Sequence, residues 1–88
     1  MENKYYELFK RINARILKYE RKVEEANLFV CEFSCMVEDR TFLERVLKQI
    51  REDGKKAEIM QIKNAKIYFS MIANKKFFED FFEKVFWS

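Results

Sequence analysis

Residues 3–26, NKYYELFKRINARILKYERKVEEA, decide the architecture of this 88-residue chain, because whatever they form must pack against everything that follows. Tyr5, Phe9, Ile12, Ile16, Tyr19, Val23 and Ala26 recur at alternating spacings of four and three, which predicts one long amphipathic helix. Leu8 and Leu17 widen its stripe beyond a strict two-stranded seam, which favours packing within the monomer. Pairing of this helix with a second copy, a homodimer, is the alternative.

Downstream the period changes to two. Phe29, Cys31, Phe33, Cys35 and Val37 fall on one face of the stretch 28–37, and Leu28, Val30, Glu32, Ser34 and Met36 on the other, the pattern of a strand. Val30, Phe33 and Val37 also continue the heptad, so a first helix running on to about Glu38 is the rival expectation. Thr41 followed by Glu44 reads as a capping box for a second helix, carried by Phe42, Leu43, Val46, Leu47 and Ile50 and ended by Gly54. Residues 57–63 and 66–73 read as two strands around an Asn64-Ala65 turn, which lacks the glycine such hairpins favour. Asn74 is placed to cap a final aromatic helix.

The predicted order is therefore helix, then β-α-β-β-α, an α+β chain with most of a ferredoxin-like split βαβ unit and no last strand. A three-stranded antiparallel sheet is expected, with the second and third helices on one face and the leading helix on the other face or an edge. Residues 1–88 form one small domain, 1–26 the long helix and 27–88 the βαββα unit.

Composition bounds the chemistry. The longest uncharged stretch, residues 67–74, is far short of the ~20 apolar residues that cross a bilayer. The opening Met-Glu-Asn-Lys-Tyr-Tyr lacks the order of a secretion signal, so a complete, cytoplasmic gene product without membrane attachment is expected. Cys31 and Cys35 agree: in a strand they lie ~13 Å apart, beyond a disulfide's reach. The chain contains no histidine and a single glycine, which removes the imidazole-based nucleophile pairs and the glycine-rich phosphate loops. No cofactor or metal is expected, and no catalytic residue. One loose pattern, Asp53 followed by Gln61-Ile62-Lys63, crudely resembles the acid, Gln, x, Lys arrangement of the PD-(D/E)xK nucleases, without their Pro-Asp element. That resemblance implies a remote reading as a metal-dependent nuclease.

Two binding surfaces compete. Arg11, Arg15, Lys18 and Lys22 at helical spacing, with Lys55, Lys56, Lys63 and Lys66 at the strand ends and turn, would neutralise phosphates, and Tyr68 or Phe69 would stack on bases, as in a small RNA- or DNA-binding accessory protein. The net charge is only +3, with glutamates interspersed. The terminal helix makes the stronger case. Phe77, Phe78, Phe81, Phe82, Val85, Phe86 and Trp87 cover about half its circumference, more than a small sheet needs. Phe78, Phe81 and Val85 are expected in the core. Phe82, Phe86 and Trp87, with the acidic rim of Glu79, Asp80 and Glu83, are expected to dock on a protein partner. The expected function is a non-enzymatic protein-binding module, an inhibitor or adaptor of the kind phage and mobile elements encode, anti-CRISPR proteins among them. Its partner would be a protein, such as a nucleic-acid-binding host or immune complex. That analogy rests on size and missing chemistry.

Overall fold

The spacing that reads as one helix over residues 3–26 is divided between a helix and a strand in the computed structural model, which describes residues 4–24 and 26–87. Asn3, where the leading helix was expected to begin, Glu25, and the end residues Met1, Glu2 and Ser88 lie outside them. Tyr5, Phe9 and Ile12 belong to α1 (Lys4–Lys10) and the turn that closes it, where the Arg11 and Ile12 amides donate to the carbonyls of Leu8 and Phe9. Arg15–Val23 is instead a strand, β1, antiparallel to β2 (Leu28–Met36).

The misreading has a geometric cause. A bulge between Ile16 and Lys18 inserts Leu17 into the ladder, so Ile16 opposite Phe33 and Tyr19 opposite Cys31 face the same way although three residues apart. A second bulge lies between Arg21 and Val23. A bulged strand thus reproduces helical spacing. The long helix, its self-pairing into a homodimer, and the rival helix to Glu38 all fall with this correction.

The remaining elements follow the sequence closely. A 3₁₀ turn (Val37–Asp39) leads into α2 (Arg40–Glu52). Thr41 is not its cap: the N-cap is Asp39, without a side-chain bond, and Glu44 pairs with the Arg40 guanidinium at 3.2 Å. Gly54, at φ 85°, turns the chain out of α2, its amide donating to the Arg51 carbonyl. β3 (Lys56–Lys63) and β4 (Lys66–Asn74) form the expected hairpin, with Asn64 and Ala65 both left-handed. The Asn74 carboxamide oxygen then accepts from the Phe77 amide at 2.8 Å and starts α3 (Lys75–Phe86).

The sheet is four-stranded and antiparallel in the order β1-β2-β4-β3, against the three strands expected. β4 lies between β2 and β3, the strands that α2 connects. Cys31, Phe33 and Cys35 of β2 and Ile67, Phe69, Met71 and Ala73 of β4 are buried on one face. One cluster joins them to the inner sides of all three helices, so the leading helix shares that face and does not cover the other. Phe33 and Phe69 stack at 5.1 Å, and Phe9 and Phe81 meet edge to face at 4.8 Å above them. Among the described residues no helix covers the other face, although Ser34 and Ser70 at its middle are buried.

Candidate functional site

The aromatic helix divides its residues by direction. Phe77, Phe78, Phe81 and Phe82 are buried, and Val85 and Phe86 are half-buried. The flank turned from the core carries Glu79, Asp80 and Glu83. Because β1 is an edge strand, α3 lies beside it with nothing beyond. Tyr19 of β1 meets Phe78 and Phe82 edge to face, at 5.3 and 5.0 Å.

That meeting makes a groove of about 540 Å³, lined by Tyr19, Phe82 and Trp87 and by Lys75, Lys76, Glu79, Asp80 and Glu83. Trp87 is 72% exposed. Its backbone amide donates to the Phe82 carbonyl at 3.2 Å, which holds the chain at the helix end, and its ring stands 5.9 Å from that of Phe82. Along the same edge strand Ile16 and Leu17 are also exposed, Leu17 by 51% because the bulge pushes it out of the pairing.

The walls are charged. Lys76 holds Asp80 at 3.1 Å, and this hydrogen bond raises the lysine's pKa. Glu79 and Glu83 form no salt bridge among the described residues. Burial raises the pKa of the Tyr19 phenol, and Cys31 and then Glu79 add to it. The groove therefore offers an apolar floor, one protruding indole and a rim on which the carboxylates of Glu79, Asp80 and Glu83 outnumber the ammonium groups of Lys75 and Lys76.

Of the residues singled out in the sequence, Phe82, Trp87, Glu79, Asp80 and Glu83 line this one groove. Phe82 forms its floor and is only 7% exposed. Phe86 turns inward against Phe9, Phe81 and Phe82. Tyr19, which helical spacing places in a seam, also lines the groove, and only a bulge in β1 accounts for its position there.

The cations fall elsewhere. Arg15 opposite Ser34 and Lys18 opposite Glu32 stand on the open face, as do Lys63 opposite Lys66 at the hairpin end and Lys22 beside Ile72. They are not the helix flank expected. Arg11 lies apart, its guanidinium 5.6 Å from the Phe42 ring. Tyr68 is on the open face, half-buried, whereas Phe69 is sealed in the core and free for no base. Glu32 and Glu58 flank Ser70 across the middle of the face, so the positive charge gathers at its two ends.

The nuclease pattern dissolves in three dimensions. Asp53 follows α2 beside the start of β3, and Lys63 ends that strand, about 23 Å further at ~3.3 Å per residue. Among the described residues no three His, Cys, Asp or Glu side chains converge as metal ligands. Cys31 and Cys35 are free and buried, and burial pushes their thiols up to about 12 and about 11. No helix among the described residues is long and apolar enough to cross a membrane. Compared with known protein families, with characterised proteins and with solved structures, the chain finds no match.

Proposed function

We propose that this chain is a non-enzymatic binding module whose groove between β1 and α3 receives an apolar, cation-flanked segment of a protein partner. The observation that carries this reading is Trp87, an indole 72% exposed yet positioned by its neighbours. Interface hot spots are enriched in tryptophan and tyrosine seated among residues that exclude water. Tyr19 and Phe82 supply such a seat. The excess of carboxylates over ammonium groups on its rim favours a partner that brings lysine or arginine beside its apolar anchor. A nucleic-acid-binding protein carries such a basic surface, which the acidic rim would meet as a phosphate mimic. By covering that surface the chain would act as a stoichiometric inhibitor or adaptor.

Comparative capture from a native lysate tests this. The wild-type chain is expected to retain a protein that both Trp87→Ala and Glu79→Lys/Glu83→Lys lose, while Lys63→Gln/Lys66→Gln keeps it. Circular dichroism checks that each variant is folded. Retention of the same protein by folded Trp87→Ala at wild-type level would remove the groove from consideration. The alternative, nucleic acid bound across the open face, requires that captured material vanish on nuclease digestion and that gel shifts weaken steeply with salt.

A further inference from the structure

Two adjoining clefts of about 560 and 330 Å³ open around Ile72, between the β1 edge of the sheet and the opposite edge at the start of β3, and Lys22, Lys55 and Lys56 line both. Arg51 lines the larger one. These four cations come from β1, α2, the turn after α2 and β3, so the fold has to bring them together against their mutual repulsion.

Two of them are fixed. Arg51 donates through Nη1 to the Ala57 carbonyl at 2.9 Å, which anchors its planar fork while leaving its other N–H groups to spare. The Lys55 ammonium stands 5.1 Å from the Phe77 ring. Lys22 and Lys56 are exposed and hold no salt bridge among the described residues. Two carboxylates lie near. Asp53 rests against the Tyr5 phenol, and Glu58 stands across from Ser70. Glu58 lines the larger cleft and Asp53 the smaller, and neither forms a salt bridge with a lysine among the described residues.

We propose that this corner binds a phosphate group, carried by a free polyphosphate or by a nucleic-acid backbone. A forked guanidinium that accepts two oxygens, beside ammonium point charges that adapt around them, is the donor set that tetrahedral oxyanions take. A single carboxylate would leave most of that charge unanswered. No residue of this corner lines the groove of Trp87, so either proposal can fail alone.

Calorimetric titration of the full chain with tripolyphosphate at low salt is the test. Binding is expected, weakened roughly tenfold or more by Lys22→Gln/Lys56→Gln, since each charge-assisted bond lost has about that effect. Both side chains are exposed, and Lys56→Gln alone serves if the double variant does not fold. Lys63→Gln/Lys66→Gln, at the other end of the same face, is expected to bind as wild type. Parallel titrations separate the two sources. Equal binding of ATP and tripolyphosphate, with none of a single-stranded oligonucleotide, assigns a free polyphosphate. Affinity that grows with oligonucleotide length and falls with salt assigns the backbone. Absence of binding by all three probes at millimolar concentration, or wild-type affinity in Lys22→Gln/Lys56→Gln, would overturn the proposal.

Discussion

The helix-covered face of the sheet and the groove beside α3 are made of the same residue type, yet only one of them is closed. Phe9, Phe33, Phe69, Phe78 and Phe81 lie where three helices meet four strands, and each is sealed on every side. Tyr19 and Leu17 lie on the edge strand β1 and Trp87 at the end of α3, where α3 covers Tyr19 only on one side and Leu17 and Trp87 stay exposed. Aromatic abundance is therefore no sign of a docking surface. Position relative to the sheet edge is.

The largest break in this comparison should come from the closed side. Phe81→Ala removes a ring that packs against Phe9, Phe33 and Phe77, and is expected to cost about 3–5 kcal/mol in urea unfolding, a large share of a small domain's stability. Alkaline pH should act on the same face. The folded-state thiols of Cys31 and Cys35 are raised to about 12 and about 11, so their contribution is complete below the ordinary value near 9 and is lost as pH climbs toward those values. The loss is at most ~1.4 kcal/mol per pH unit for each thiol. Urea midpoints between pH 8 and 11 should fall accordingly, and less steeply in Cys31→Ala/Cys35→Ala.

Smaller effects sharpen the boundary between the regions. Asn74→Ala removes the cap that starts α3 and is expected to cost about 1 kcal/mol, whereas Thr41→Ala, which caps nothing, should cost under ~0.5 kcal/mol. Melting temperatures separate the two, at about 4–8 °C per kcal/mol for a domain of this size. Trp87→Ala should change stability least, by under ~0.5 kcal/mol, while abolishing partner capture. An equal loss of stability in Trp87→Ala and Phe81→Ala would erase the distinction between floor and core.

How much of this was legible in the sequence depends on where local pattern and tertiary structure agree. From Leu28 onward they do, apart from the start of α2, where Thr41 caps nothing: the alternation of β2 and β4, the left-handed Asn64-Ala65 turn, the stop at Gly54 and the cap at Asn74 are each set by residues within a few positions of one another. The leading segment failed because a bulge is stabilised by the partner strand and not by its own residues. With β1 misassigned, the fourth strand disappeared, and with it the reason for Tyr19 to meet α3. The acidic and aromatic residues of the groove were still found, because they lie on one helix where spacing alone puts them together. The corner of Lys22, Arg51, Lys55 and Lys56 joins three elements, and its full composition cannot be read from spacing.

Trp87 is the sole tryptophan in the chain, so its fluorescence reports the groove without ambiguity. Acrylamide quenching of the dilute, free protein measures whether that indole meets solvent. The expected result is quenching close to that of a free indole, with a red-shifted emission. A blue-shifted emission resistant to acrylamide in the dilute chain would place the ring inside the fold and contradict the open groove.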